Sequence, residues 1–131
     1  MLQPREKATP SAAKAVLVVE DDTYIGAFLV EAVREETSHQ AMLAVTGAQA
    51  LDLLHYLRPS LIVCDYCLPD MDGFTLHDLL RAREEFINIP IILMSAMPQV
   101  MTRTIQHEKL LRLKKPFDLD TFLCLINNIL E

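Results

Sequence analysis

Acidic residues, one hydroxyl and one lysine stand at the ends of separate apolar runs in this sequence. Glu20 and Asp21 follow the first run, Asp65 follows the third, Ser95 ends the fourth, and Lys115 follows the fifth. Clustered carboxylates repel one another and are tolerated mainly where a cation compensates their charge. An oxygen-lined site with retained waters suits Mg²⁺. If these ends meet in space, the sequence predicts a magnesium site.

A cation held by Asp21 and Asp65 would favour nucleophilic chemistry at Asp65. The metal would offset charge repulsion as an anionic phosphoryl group approaches that carboxylate. Lys115 supplies an opposing positive charge, and the hydroxyl of Ser95 can donate a hydrogen bond to a phosphoryl oxygen. These residues therefore predict phosphoryl transfer to Asp65 and a sensor of its outcome.

Each residue also has a structural interpretation when it is considered alone. Asp22 can cap a helix, Ser95 suits a turn, Lys114 and Lys115 suit a solvated surface, and Asp65 can end a strand. The combination of these residues at several strand ends is what favours the chemical interpretation.

The elements that would bring these residues together alternate along the chain. Apolar runs predict strands at 15–19, 41–45, 61–64, 89–95 and 110–113, and amphipathic stretches predict helices at 23–36, 48–57, 74–86, 99–108 and 119–130. The first, third and fourth runs are apolar throughout, as in strands covered on both faces, whereas the second and fifth suggest edge strands. Regular alternation predicts a doubly wound α/β sheet, whose ligand site lies beyond the carboxyl ends of its strands.

Composition limits the class of protein. With 131 residues and 51% hydrophobic composition, the chain suits one domain, predicted at 15–131 after a flexible lead-in at 1–14. A net charge of -6 argues against a general nucleic-acid or anionic-membrane surface. Three cysteines without a zinc pattern, and the absence of a signal-peptide or membrane-span stretch, predict a cytoplasmic protein. The histidines have no metal spacing and are predicted to lie on surfaces: His39, His55, His77 and His107.

Four strings of residues carry a family resemblance. They are VLVVEDD at 16–22, LIVCDYCLPDMDG at 61–73, PIILMSA at 90–96 and KKPF at 114–117. Together they resemble the receiver domain of bacterial two-component response regulators. The resemblance implies a flavodoxin-like (βα)5 fold with five parallel strands in the order 2-1-3-4-5.

The resemblance also implies a function and a set of metal ligands. Asp65 would accept a phosphoryl group from a sensor histidine kinase, a histidine phosphotransfer protein or a small phosphodonor, and would later lose it by self-catalysed hydrolysis. The chain would catalyse only these two reactions on itself. Asp21 and Asp65 would bind Mg²⁺ directly, Glu20 would act through water, and Cys67 would contribute its backbone carbonyl. Phosphorylation would switch contacts with a downstream protein or a linked output domain.

Ser95 resembles the switch hydroxyl of the family, and Lys115 the lysine that pairs with the phosphoryl group. Three positions before this lysine the family usually carries an aromatic residue whose rotamer reports phosphorylation, but here the residue is Arg112. The signal would then pass through Ser95 and the fourth helix by another route. We expect Arg112 to face outward and contact a partner, or a second copy through the face of the fourth helix, fifth strand and fifth helix. The alternative is that this face is merely reshaped.

Two other functions remain open from the sequence. The string DMDGFT at 70–75 resembles the aspartate-nucleophile motif of haloacid-dehalogenase-type phosphatases, although Leu68 and Pro69 separate it from the preceding strand. A receiver-like domain could also serve as a binding module without phosphorylation. The phosphoacceptor interpretation is favoured because the sequence retains every residue that the chemistry needs.

Overall fold

A computed structural model describes residues 14–103 and 110–131. Its strands and helices, in chain order, are β1 (Ala15–Val19), α1 (Thr23–Glu36), β2 (Gln40–Ala44), α2 (Gly47–Leu53), β3 (Leu61–Asp65), α3 (Gly73–Arg81), a 3₁₀ helix (Glu84–Phe86), β4 (Ile91–Ser95), α4 (Pro98–Thr102), β5 (Leu110–Lys114) and α5 (Leu119–Leu130). The predicted lead-in at 1–14 and the second half of the predicted fourth helix lie almost wholly outside the described residues.

All five strands are parallel and follow the order β2-β1-β3-β4-β5. The predicted strand order is therefore confirmed, and β2 and β5 are the edge strands, as their composition indicated. In the sheet register Val19 pairs with Cys64, Asp65 with Met94, and Ser95 with Lys114. This register brings the carboxyl ends of four strands to one edge of the sheet.

The central strands bury both of their faces. Val16 and Val18 of β1 pack with residues of α1 and α5, among them Phe122, whereas Leu17 and Val19 face residues of α2 and α3. Each fully buried valine or leucine side chain contributes about 1.5–3 kcal/mol relative to an exposed one. Successive residues of a strand point to opposite faces of the sheet. Because all residues of β1 are apolar, both faces are covered by a layer of helices.

Two predicted helices end earlier than their apolar pattern suggested. The helix predicted to reach residue 57 ends at Leu53, where the amides of His55 and Tyr56 bond carbonyls three residues back, at 3.1 and 3.0 Å. The helix predicted to reach residue 86 ends at Arg81 and is followed by the 3₁₀ helix. Arg81 closes that turn by donating to the carbonyls of Phe86 and Ile89 at 3.1 and 2.9 Å.

The prediction that the histidines lie on surfaces is wrong for two of them. His39 is 4% exposed and His77 is 2% exposed, whereas His55 is exposed and His107 lies outside the described residues. Nδ1 of His39 accepts a hydrogen bond from the amide of Lys14 at 3.2 Å. The spacing of the histidines along the sequence bears on whether they could bind a metal together, but it carries no information on whether each side chain is buried. Within the described ranges, no helix is long and apolar enough to cross a membrane.

Candidate functional site

Three carboxylates meet where β1 and β3 end side by side. Asp65 is the last residue of β3, and Glu20 and Asp21 follow β1, whose last residue pairs with the residue before Asp65. One carboxylate oxygen from each residue lies within 4.8 Å of the others. The structure therefore brings together the three acids that the sequence predicted as metal ligands.

Lys115 lies directly after β5 and reaches across to the carboxylates. Its amide donates to the carbonyl of Ser95 at 2.9 Å, and its Nζ lies 2.7 Å from Oδ1 of Asp65 and 3.9 Å from Oε1 of Glu20. Burial lowers the pKa of Lys115, but the hydrogen bond and charge of Asp65 and the charge of Glu20 outweigh it, so the net shift is upward. The ammonium group is thus held charged beside Asp65 at neutral pH.

Glu20 is a buried carboxylate with an incomplete set of partners. It is 2% exposed, and its Oε2 accepts from the amide of Asp22 at 3.1 Å. Its Oε1 is buried and has no hydrogen-bond partner in the part of the chain that the structure describes. Burial raises the pKa of Glu20, and the charge of Asp65 adds to the shift, while the Asp22 amide opposes it. A buried oxygen without a donor, beside two more carboxylates, fits a divalent cation.

The loop after Asp65 presents Cys67 beside the site. An antiparallel bridge joins Cys67 and Asp72, and its two hydrogen bonds run from Leu68 N to Met71 O at 3.2 Å and from Gly73 N to Tyr66 O at 2.8 Å. Neither bond uses the carbonyl of Cys67, and within residues 14–103 and 110–131 no backbone amide donates to it. That carbonyl is available for the predicted role as a metal ligand.

Gly73 allows this loop to fold back on the sheet. A Cβ atom at this position would lie 2.2 Å from Cδ1 of Leu93 and 3.3 Å from the Cα of Tyr66. The nearer atom belongs to the buried side chain of Leu93 and the farther one to the backbone, so an added side chain would force Leu93 to repack and would crowd the loop at Tyr66. Glycine is required here by the close approach of α3 to β3 and β4.

Asp70 has a role that the sequence did not reveal. Its Oδ1 and Oδ2 accept hydrogen bonds from the amides of Gly47 and Ala48 at 2.9 and 2.8 Å, at the start of α2. These bonds lower the pKa of Asp70. Helix-capping signals are read within about three residues of the cap, so a cap supplied from 23 residues away in sequence leaves no local pattern.

The capping roles bear on the phosphatase alternative. Asp70 serves α2, and Asp72 caps α3 through the amide of Thr75 at 2.8 Å. Both aspartates of the DMDGFT string are thus engaged with helix N-termini, whereas Asp65 faces the carboxylate cluster and Lys115. The geometry favours Asp65 over Asp70 as the reactive carboxylate.

Ser95 ends β4 and is 4% exposed. Its Oγ accepts a hydrogen bond from the amide of Met97, the N-cap residue of α4, at 3.0 Å. The hydroxyl proton of Ser95 remains available as a donor. In this arrangement Ser95 has the turn role that its sequence position suggested, and the switch role stays a prediction.

Arg112 does not face outward, contrary to the expectation from the sequence. It pairs with Leu93 in the sheet and is half-buried, and its Nη2 donates to the carbonyl of Arg103 at the end of α4. The side chain is thus directed at a neighbouring element of the same chain. Contact with a partner or a second copy stays a prediction.

The arrangement combines a nucleophile, a place for a cation and a fixed positive charge. Oδ1 of Asp65 is held by Lys115, while no donor among the described residues bonds Oδ2. A carboxylate oxygen that no described donor bonds, beside a cation site and an ammonium group, suits attack on an anionic phosphoryl group.

Known proteins share this fold and sequence pattern. A family model described as the response regulator receiver domain matches residues 16–127. Sensor histidine kinase TmoS of Ectopseudomonas mendocina is 32% identical over 122 residues, which are 88% of this chain but only 12% of the kinase. Sporulation initiation phosphotransferase F of Bacillus subtilis is 32% identical over 108 residues, which are 79% of this chain and 84% of that protein. The receiver domain of the Francisella response regulator 1452 has a TM-score of 0.78 at 29% identity and covers 89% of this chain and 96% of that one.

Proposed function

Because the chain belongs to the response regulator receiver domain family of two-component systems, we propose that Asp65 accepts a phosphoryl group from a phosphohistidine. The donor would be a sensor histidine kinase or a histidine phosphotransfer protein, and small phosphodonors would substitute for it. The observation that carries the proposal is the position of Asp65 within 4.8 Å of two further carboxylates and 2.7 Å from the ammonium of Lys115.

The transfer itself exchanges one bond for another. An oxygen of Asp65 attacks phosphorus, the bond from phosphorus to the donor imidazole breaks, and the imidazole nitrogen keeps that electron pair. The product is an acyl phosphate on Asp65. Lys115 stabilises the charge that develops on the phosphoryl oxygens, because its ammonium is already fixed beside the attacking carboxylate.

Magnesium fits the carboxylate cluster as the partner of this chemistry. Asp21, Asp65 and the backbone carbonyl of Cys67 would bind it directly, and Glu20 through water. The buried Oε1 of Glu20, to which no group in the described part of the chain donates a hydrogen bond, supports this assignment. When bound, the cation would neutralise charge between Asp65 and the incoming phosphoryl group.

Ser95 would report the modification. Its hydroxyl donates to a phosphoryl oxygen on Asp65, and α4 responds because the same hydroxyl holds the amide of Met97 at 3.0 Å. The change at α4 would alter contacts with a downstream protein or a linked output domain. Water would later hydrolyse the acyl phosphate. The chain would thus catalyse two reactions, both on itself: its phosphorylation and its dephosphorylation.

Labelling with acetyl phosphate tests the proposal. Intact-mass spectrometry should show the mass of one added phosphoryl group in the presence of Mg²⁺, none after chelation, and none in Asp65→Asn. Asp70→Asn is the matched control, and it should still be labelled. Labelling that survives in Asp65→Asn but disappears in Asp70→Asn would instead support the phosphatase-like alternative, and no labelling in any protein would favour a phosphorylation-independent binding module.

A further inference from the structure

Helix α4 is held at both ends by side chains of the neighbouring strands. At its start, Oγ of Ser95 accepts the amide of Met97 at 3.0 Å, and at its end Nη2 of Arg112 donates to the carbonyl of Arg103. The described helix has only five residues. A helix of this length is not stable by itself, so its position depends on such contacts.

The end of α4 also rests on a small aromatic cluster next to the site. The guanidinium of Arg103 lies 4.3 Å from the ring centroid of Phe74, which packs with the buried residues Leu93 and Val100. Phe74 in turn meets Tyr66 edge to face at 5.6 Å, and Tyr66 is the residue directly after Asp65. The C-terminal end of α4 is therefore connected by packed side chains to the neighbour of the acceptor.

The hydrogen bond from Arg112 to the carbonyl of Arg103 makes only a modest net contribution to stability. Arg112 is half-buried, and its buried Nε has no hydrogen-bond partner within the described ranges. A buried donor without an acceptor offsets part of what the Nη2 bond contributes. The contact therefore suits a reversible fastening better than a permanent structural anchor.

We propose that Arg112 is a positioning residue that fastens the end of α4 in the arrangement where Ser95 holds Met97, and that it thereby opposes the switch. If Ser95 turns its hydroxyl to a phosphoryl group, it gives up the Met97 amide and frees the start of α4. Rearrangement of the helix must then also strain or break the Arg112 contact. A contact made in only one of two arrangements weakens binding of any ligand that favours the other.

This inference rests on the proposed function of Asp65, and it gives Arg112 a role within its own chain, through its contact with the carbonyl of Arg103. It predicts that removing the Arg112 donor makes a phosphoryl mimic bind more tightly. Loss of a nearby positive charge alone would weaken binding of an anionic mimic, so the two effects have opposite signs.

Beryllofluoride, titrated in saturating Mg²⁺ and followed by nuclear magnetic resonance, supplies the measurement. We expect Arg112→Met, which keeps most of the apolar stem, to lower the Kd about threefold to tenfold, as loss of one modest hydrogen bond from the competing arrangement would. Arg112→Lys keeps a donor and should stay near the wild-type Kd. Arg58→Ala is the matched control, because Arg58 also donates to a carbonyl at a helix end, that of Leu54 at 2.7 Å, away from α4.

Hydrogen exchange of the α4 amides gives a second measure of how firmly Arg112 holds the end of this helix. The amides of Val100 and Met101 bond the carbonyl of Met97 at 3.1 and 3.2 Å and should exchange faster in Arg112→Met than in the wild type. An unchanged or raised Kd in Arg112→Met, or equal tightening in Arg112→Lys or Arg58→Ala, would overturn the inference. A wild-type protein that binds no beryllofluoride would instead overturn the proposed function.

Discussion

The ammonium of Lys115 lies 2.7 Å from Oδ1 of Asp65 and so joins the end of β5 to the end of β3 across the strand between them. That intervening strand, β4, ends in Ser95, whose carbonyl accepts the Lys115 amide at 2.9 Å. Asp65, Ser95 and Lys115 are thus fixed relative to one another by the sheet. A substitution at any one of these three residues should alter the geometry of the other two.

Lys115→Met should destabilise the protein most when no divalent cation is present. The substitution leaves the carboxylates of Asp65 and Glu20 without their counter-charge, and we expect the free energy of unfolding to fall by about 1–3 kcal/mol. Mg²⁺ should restore part of this loss because it compensates the same charges. Urea denaturation with and without Mg²⁺ measures both effects. Lys114→Met is the control, and an equal loss in that exposed neighbour would contradict the expectation.

Glu20→Gln should stabilise the metal-free protein at neutral pH and weaken Mg²⁺ binding. The pKa of Glu20 is raised by burial, so the folded protein binds this proton more tightly than the unfolded chain does. Wild-type stability should therefore fall as pH rises from the ordinary value of 4.5 through the folded pKa, a loss that Glu20→Gln lacks. Denaturation across this pH range measures the difference, with Glu31→Gln as an exposed control. If Glu20→Gln destabilised the protein equally at all pH values, the argument that burial raises the pKa of Glu20 would be refuted.

Asp70→Ala should loosen the loop that carries Cys67. Loss of the two hydrogen bonds to Gly47 and Ala48 releases this loop from α2, so we expect lower stability and weaker Mg²⁺ binding. Because those bonds lower the pKa of Asp70, its contribution is present above the ordinary value of 3.8 and is lost as pH falls through the folded pKa. Magnesium titration by calorimetry and denaturation at two pH values test this. Asp52→Ala, on the exposed side of α2, should change neither quantity.

Gly73→Ala should cost more stability than Gly26→Ala. A Cβ at position 73 meets Leu93 at 2.2 Å and the backbone of Tyr66 at 3.3 Å, so overpacking should cost about 1–3 kcal/mol and disturb the metal loop. At position 26 the added atom meets only the flexible end of Leu43, and alanine favours the helix. Thermal unfolding and Mg²⁺ affinity distinguish the two variants. Equal effects on both quantities would show that the close approach at position 73 is unimportant.

The acyl phosphate on Asp65 should decay slowly or at a moderate rate. Cys67 and Met97 lie two residues beyond Asp65 and Ser95, where the family's residues flank the acyl phosphate, and neither side chain has an amide or acid to orient attacking water. Chasing labelled protein after removal of the donor measures the lifetime. Cys67→Asn should shorten it, and a wild-type half-life of only seconds would contradict the expectation.

The sequence alone determined the sheet and the identity of the main site residues. All-apolar runs predict the central strands because only strands covered on both faces lack alternation, and β1, β3 and β4 are buried as expected. Since the carboxyl ends of parallel strands share one edge, Glu20, Asp21, Asp65, Ser95 and Lys115 could be assigned to one site from their positions after the runs. The same local reasoning found Asp22 as the cap of α1.

Only the tertiary structure decided contacts between residues far apart in the chain. The Asp70 carboxylate at the start of α2, the burial of His39 and His77, and the contact of Arg112 with the end of α4 all depend on how distant segments pack. Periodicity and capping signals act over a few residues, whereas these contacts are set by the register of the strands and the layers around the sheet. The residues that meet at the site could therefore be read from their positions at strand ends, whereas the contact between Arg112 and the end of α4 could not.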